Sequence, residues 1–248
     1  MTLKHIPISA HATHCSTCMM GNVCLPTGMP SAEIEQLDDL VKERIRIPKG
    51  RRLFSKGQNL DALYALRLGS LKTQLEDVMG VVQVTGFYLP GEIVGLDGML
   101  EGVHDSNAIA LEDSEVCVVR LIDIDQVGMY LPSLQQQIRR LMSKEIARSH
   151  QVLVALGSMR SEQRLASFLL NLSQRLSALG YSSTDFVMRM SREEIGNYLG
   201  LTIETISRLF SRFARDGVIK VNQREVRILD LEAIKELAGQ PCTPSNYN

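Results

Sequence analysis

The stretch SREEIGNYLGLTIETISRLFSRFARDG, residues 191–217, permits few folds. Ser191 with Glu194 three residues on is a capping box, Gly200 closes the short helix it opens, and Thr202 caps a second helix that stops before Gly217. Two capped helices joined by a tight glycine turn are a helix-turn-helix. In the second helix Ile206, Leu209, Phe210 and Phe213 must face a core, which turns Glu204, Thr205, Ser207, Arg208 and Arg212 outward. A recognition helix presents its N-terminal residues to the major groove, where Arg pairs with guanine and Glu accepts from the cytosine amino group. Glu204 and Arg208, four apart, also have the spacing of an intrahelical ion pair worth about 0.3 kcal/mol. Taken alone the helix leaves these readings level; the capped pair, the turn and the wing that follows favour double-stranded DNA. VIKVNQREVRIL reads as two strands joined through Asn222 to Arg224, and Arg189, Arg192, Arg212, Lys220 and Arg224 are candidates for phosphate contacts.

The charge balance makes any such affinity local. The chain of 248 residues has a formal net charge of −1, yet residues 160–230 carry eleven Lys and Arg against eight Asp and Glu. Hydrophobic residues at 44% suffice for a packed core. No apolar run approaches the roughly 20 residues of a membrane helix, and MTLKHIPISAHATH has no apolar signal core, so the cytoplasm is the expected compartment, with no membrane partner. From Pro48 to about Leu121, short β-rich runs (LYALRL, VVQVTGFYL, VCVVRL) are punctuated by glycines, the pattern of an antiparallel double-sheet roll and not of βαβ units. A short amphipathic helix, with Ser31 as its cap signal and a stripe of Ile34, Leu37, Leu40 and Val41, precedes it.

Residues 132–159 read as a long helix with Met142, Ile146, Ser149, Leu153 and Leu156 on one face and Ile138, Leu141 and Val152 on its neighbour. Either both faces pack within one subunit, or one packs on the roll and the other on the same helix of a second subunit. The helix length favours the homodimer, with Ile138 counted among its contacts. The expected class is α+β: a cysteine segment (1–30), the roll (31–131), the long helix (132–159), a winged helix-turn-helix (160–232), and a helix end with a disordered tail (233–248). Ser, His and carboxylates form no recognisable catalytic arrangement, so an enzyme is not expected.

HCSTCMMGNVCLP, residues 14–26, holds three of the five cysteines. In a reducing compartment such a group reads as metal-binding or catalytic before it reads as a disulfide framework. Cys15-x2-Cys18-x5-Cys24 offers three thiolates, and Cys117, 93 residues further on in VCVVRL, is the candidate fourth. Iron in sulfur clusters is ligated by such thiolates. Structural zinc is an alternative, although a five-residue gap exceeds the usual spacing, and a thiol switch is another; Cys117 in an apolar strand also fits plain core packing. His5, His11 and His14 read as solvated neighbours, Met19 and Met20 as covers or loop packing, and Cys242 has no assigned role.

With PGEIVGLDGM in the roll, LPSLQQQIRRLMSKEI in the long helix and MSREEIGNYLGLTIETISRLFSRF near the end, the chain resembles the bacterial CRP/FNR transcription regulators over almost its whole length. The resemblance implies a sensor roll of the cyclic-nucleotide-binding type, a helix that pairs two subunits, and a winged domain on a palindromic site. Glu204, Ser207 and Arg208 match the E-x-x-S-R of the FNR branch, which includes its ANR relatives, and imply TTGAT-type half-sites. Cyclic-nucleotide members carry an Arg-Ser pair after Gly-Glu-Leu; here Gly91-Glu92-Ile93 is followed by GVHDSNAIAL, which holds Asp105 and no Arg or Lys, so a cyclic phosphate is not expected. FNR proteins hold a [4Fe-4S] cluster on three N-terminal cysteines and one from the roll, and Cys15, Cys18, Cys24 and Cys117 match residue by residue. The resemblance further implies that oxygen converts the cluster to a two-iron form, weakening the dimer and its DNA binding, and that the hairpin near Asp77 to Gly80 contacts RNA polymerase. In this chain that hairpin reads DVMGVV where relatives are acidic and polar, and Ser149 stands where some relatives carry Asp.

Overall fold

The computed structural model describes residues 3–7, 14–21 and 23–239. His11, Cys242 and the tail expected to be disordered lie outside them. The chain divides into two compact units, Met1–Ile146 and Ala147–Asn248.

The first unit is a roll of two antiparallel sheets. One has the order β1 (Lys4–Pro7), β2 (Val41–Ile47), β9 (Ser114–Arg120), β4 (Ala62–Leu68), β7 (Ile93–Val94); the other runs β3 (Arg52–Phe54), β8 (Asn107–Ala110), β5 (Leu71–Glu76), β6 (Val82–Tyr88). Alternation along the strands decides what each face meets. Tyr64 and Leu66 of β4 and Val116 and Val118 of β9 point between the sheets, where they pack with Phe54, Leu71 and Tyr88. Their neighbours Leu63, Ala65, Cys117 and Val119 point outward into a second apolar cluster, with Leu25, Leu37, Leu40, Leu134 and Ile138. The five-stranded sheet is thus covered on both faces, which is why β4 and β9 read as nearly continuous apolar runs.

Two expectations for the entry to the roll are corrected. The amphipathic segment is one α-turn, α1 (Ser31–Ile34), continued as a 3₁₀ turn over Glu35–Leu40, and its N-cap is Pro30, with Ser31 already helical. Val41 belongs to β2, not to the helical stripe. Val41, Ile45 and Ile47 are buried on a strand whose register against β9 shifts between Val41 and Glu43, and tertiary pairing outweighs a helical periodicity this short.

After α2 (Leu121–Gly128) comes α3 (Pro132–Ser158), with proline at its first helical position. Leu134 and Ile138 are buried in the outer cluster with Leu141 packed beside them, while Met142, Ile146, Ser149, Leu153 and Val154 are exposed. Ile138 is therefore a contact within the protomer, contrary to the expectation that placed it with the dimer residues.

The second unit holds α4 (Ser161–Ala178), β10 (Asp185–Val187), α5 (Arg192–Leu199), α6 (Ile203–Arg215), β11 (Ile219–Asn222), β12 (Glu225–Ile228) and α7 (Leu231–Leu237). The wing is a three-stranded sheet in the order β10-β12-β11; its third strand, β10, was not legible in the sequence. Ser191 accepts from the Glu194 N–H and the Glu194 carboxylate accepts from the Ser191 N–H, as the capping box requires. Gly200 ends α5 at φ +63°, a conformation costly to any residue with a Cβ. Among the described residues no helix is long and apolar enough to cross a membrane.

Candidate cysteine site and nucleic-acid interface

Cys117 sits on the outward face of β9, directly across from Arg44 of β2 and Ala65 of β4. The segment bearing the other three cysteines lies over this face. A single 3₁₀ turn spans Cys15–Thr17, the Ser16 N–H and hydroxyl donate to the Asp38 carboxylate, and the Thr27 hydroxyl donates to the Cys24 carbonyl at 2.6 Å. Cys15, Cys18, Cys24 and Cys117 consequently line one cavity of about 30 Å³, together with His14, Met20, Leu25, Val41, Arg44 and Arg67. The sequence separation of 93 residues is closed by the fold. His14 is half-buried on this cavity with its Nδ1 unpartnered among the described residues, which corrects the solvated reading. His5 instead hydrogen-bonds Glu43 at 3.1 Å from β1, and Met19 is exposed.

The thiols are free, and the cavity disfavours the charged forms of Cys15, Cys24 and Cys117. Burial foremost, then the neighbouring sulfurs of Cys24 and Cys117, pushes Cys15 up to about 12. Burial also pushes Cys24 up to about 12, against a lowering hydrogen bond from the backbone of Leu25. Cys117 is raised by burial, with Arg44 acting against it through charge and a hydrogen bond. Thiolates that repel one another in a dry pocket are stabilised by a shared cation, and four soft sulfur donors suit iron or zinc before a hard metal. Among the described residues, no three His, Cys, Asp or Glu side chains are gathered at metal-holding distance. In chemistry the four thiols around this cavity suit a thiolate-ligated metal group.

In the roll the segment after Gly91 is occupied by an internal anion. One Asp97 oxygen accepts from the N–H groups of Asp105 and Ser106 and from the Ser106 hydroxyl, while the other meets His104 Nδ1 at 3.2 Å. Burial alone would raise the Asp97 carboxyl; the bonds from His104 and Ser106 outweigh it and hold the group below its ordinary range. His104 is stacked on Phe54 with centroids 3.6 Å apart.

In α6, Ile206, Leu209, Phe210 and Phe213 are buried, as the pattern requires, and Glu204 and Arg208 are exposed at its start. Thr202 caps the helix by accepting from the Thr205 N–H at 3.3 Å. Glu204 is held below its usual range by its own backbone N–H and by Thr202, with Arg208 a smaller contribution, so it presents a carboxylate at neutral pH. The intrahelical alternative for Glu204 and Arg208 is weak: the Arg208 Nε contact is to the Glu204 carbonyl, at 3.4 Å. Arg212 departs from the expected reading surface, because it is ion-paired with Glu162 of α4 and with Asp216. Arg192 lies 4.8 Å over the Phe210 ring, bracing α5 against α6, and the Arg189 carbonyl accepts from Arg224. Arg164, which the sequence did not mark, donates to the carbonyls of Leu156, Met159 and Leu199 and so ties the end of α3 to the helix-turn-helix. Leu156 packs beside Gly200 in this junction, away from the exposed stripe.

At the β5–β6 turn the Asp77 carboxylate accepts from the N–H groups of Met79 and Val81, both at 2.8 Å. It is spent on the turn, and the exposed tip is apolar: Val78, Met79 and Val81.

An antiparallel roll, a long helix with an exposed apolar stripe and a winged helix-turn-helix are the parts of a DNA-binding transcription regulator. Residues 163–237 match the Crp-like helix-turn-helix domain and residues 44–129 the cyclic nucleotide-binding domain. The chain belongs to the CRP/FNR family of DNA-binding transcription regulators, which are not enzymes. It is 67% identical to the transcriptional regulatory protein btr of Bordetella pertussis, over 96% of this chain and 98% of that one. It is 39% identical to the fumarate and nitrate reduction regulatory protein of Yersinia pestis, over 96% of each. In fold it resembles FixK2 of Bradyrhizobium japonicum, with a TM-score of 0.72 at 22% identity, covering 81% of this chain and 98% of that one.

Proposed function

We propose that this regulator senses oxygen through a [4Fe-4S] cluster held by Cys15, Cys18, Cys24 and Cys117, and controls genes of anaerobic metabolism. The observation that carries the reading is that these cysteines, from two distant segments, line one cavity. When bound, the cluster supplies an oxygen-labile crosslink between the N-terminal segment and β9. The chain's own residues supply the transmission. Leu25, next to Cys24, shares an apolar cluster with Leu37, Leu40, Leu134 and Ile138, so restraining the cysteine segment restrains the surface on which the first turns of α3 rest. The exposed stripe of Met142, Ile146, Ser149 and Leu153 then pairs with its copy in a homodimer. Two subunits related by a two-fold axis place their α6 helices on a palindromic TTGAT-type site, where Glu204, Ser207 and Arg208 read bases and Arg189, Arg192, Lys220 and Arg224 meet phosphates. RNA polymerase is the remaining partner. The Asp97 carboxylate, filling the donors of Asp105 and Ser106, speaks against a cyclic phosphate as the signal.

The test is iron and acid-labile sulfide per chain in protein purified without air, with the visible spectrum followed as air enters. Near four of each, with bleaching in air and loss of specific DNA binding, is expected; Cys117→Ser abolishes the loading and Arg208→Ala the specific DNA binding. Stoichiometric zinc, or no metal and an air-stable protein, would refute the cluster.

A further inference from the structure

We infer that Arg44 and Arg67 are fixed counter-charges of the cysteine site, aimed into it by the buried carboxylate of Glu115, and that they retain a negatively charged thiolate–metal group there. The inference rests on the cluster reading above and extends it to residues outside the ligand set.

The strand register builds the arrangement. Glu115 and Cys117, two apart on β9, share a face. Opposite them on β2 stand Arg46 and Arg44, paired with Glu115 and Cys117 respectively. On β4 the register shifts between Leu66 and Leu68, which leaves Arg67 as the extra residue beside Glu115, and a shift of this kind re-aims a side chain. The Glu115 carboxylate accepts from Arg67 Nη1 at 3.0 Å and from Arg46 Nε at 3.1 Å, with Arg44 Nη1 3.9 Å away.

Exposure separates the three arginines. The Glu115 side chain is 8% exposed, Arg44 13% and Arg67 25%, whereas Arg46 is 61% exposed. Arg44 and Arg67, and not Arg46, line the cavity of the four cysteines. Two largely buried guanidiniums therefore share one carboxylate at the edge of the cysteine cavity. Fold stability is a poor reason for it, since apolar residues in place of buried ion pairs commonly fold as well or better. The Arg67 Nε is buried without a hydrogen-bond partner among the described residues. A buried donor and two guanidiniums beside four sulfurs suit an iron–sulfur group with anionic ligands, because nearby charge and hydrogen bonds to sulfur are the levers a protein has over it. Removing such outer partners typically costs about 10–100-fold in retention.

The test is the rate of iron release to a ferrous chelator from anaerobically loaded full-length protein, with oxygen excluded. Arg44→Gln and Arg67→Gln are expected to release iron about tenfold faster than the unsubstituted chain. Arg67→Lys restores most of the retention, and Arg46→Gln, which touches the same carboxylate from the solvent side, leaves the rate unchanged. Melting of the metal-free variants shows whether each still folds; if Arg44→Gln does not, the Arg67→Gln, Arg67→Lys and Arg46→Gln set decides. Equal release from all variants overturns the inference, and so does acceleration by Arg46→Gln equal to that of Arg67→Gln, which would trace the effect to the Glu115 network alone. If the unsubstituted chain takes up no iron, the cluster reading itself fails; if it loads and the arginine variants retain iron equally, only the inference fails.

Discussion

Gly91→Ala tests how the cysteine segment is seated. Gly91 lies in the turn between β6 and β7 at φ +87°, its N–H donating to the Leu66 carbonyl at 2.7 Å. A Cβ there would stand 2.7 Å from Val23 Cγ2 and 3.1 Å from the Val23 carbonyl oxygen, so backbone next to Cys24 has to move. The left-handed conformation costs alanine about 1–2 kcal/mol and the overpacking about 1–3 kcal/mol. Most of the second part is relieved by lifting the loop. If about 1.4 kcal/mol is recovered that way, the open population rises about tenfold. Labelling of Cys24 by a thiol reagent in the metal-free protein reports that population. Gly80→Ala is the control: its φ is +79° but its Cβ would meet nothing within 4 Å, so it carries strain without contact. The expected result is faster labelling in Gly91→Ala and an unchanged rate in Gly80→Ala. Equal rates in both, with Gly91→Ala melting like Gly80→Ala, would show that the loop does not rest on this turn.

Arg164→Ala removes three hydrogen bonds from a charged donor to helix-end carbonyls and should destabilise the helix-turn-helix unit by about 2–3 kcal/mol, read from its urea transition. Asp97→Ala leaves the Asp105 and Ser106 N–H groups and His104 Nδ1 short of a partner, at a cost of about 3 kcal/mol near neutral pH. Because the folded carboxyl titrates below its ordinary value of 3.8, its contribution is present above that value and lost as pH falls through and below it; the stability gap between the two proteins should narrow in acid, and a constant gap from pH 7 to about 3 counts against the assignment. Ser149→Asp places like charges across the two-fold of a dimer and should reduce residual dimerisation of the metal-free protein, measured by sedimentation; equal dimerisation of the two would dissociate Ser149 from the interface.

The helix-turn-helix was legible because its signals are local: a capping box, a left-handed glycine and a four-residue apolar face all lie within 27 residues, and the structure reproduces each. The double-faced helix was half legible. Periodicity identifies apolar positions without saying what they meet, so Ile138, on the neighbouring face, was counted among the dimer contacts although Leu134 and Ile138 complete the outer cluster of the roll. Leu156, counted with the dimer residues, is half-buried beside Gly200 at a junction held by Arg164, a neighbour that periodicity does not reveal. Arg212 looked like a reading residue from its helical position; its partner Glu162 is fifty residues away and only the fold brings them together. The convergence of Arg44, Arg67 and Glu115 depends on strand register and a shift at Arg67, neither of which leaves a mark in one sequence.

On the proposed reading, the attachment of the cysteine segment is the baseline to which a bound metal group would add. Among the described residues of 14–28 only Leu25 and Pro26 are buried. A buried leucine contributes about 1.5–3 kcal/mol, the order of a single local opening event. Cys15 and Cys24 also pack against the outer apolar cluster, Ser16 hydrogen-bonds Asp38, and Val23 lies on Gly91. A chelate joining Cys15, Cys18 and Cys24 to Cys117 would add far more than this, since metal binding energy appears directly as folding energy. The segment it would lock lies on the same apolar cluster as Leu134 and Ile138, at the base of the helix that carries the exposed stripe. On the proposed reading a switch would need no long pathway: Leu25 beside Cys24 and Leu134 and Ile138 of α3 share one apolar cluster, and the response would be bounded by the few kcal/mol that hold the segment in place.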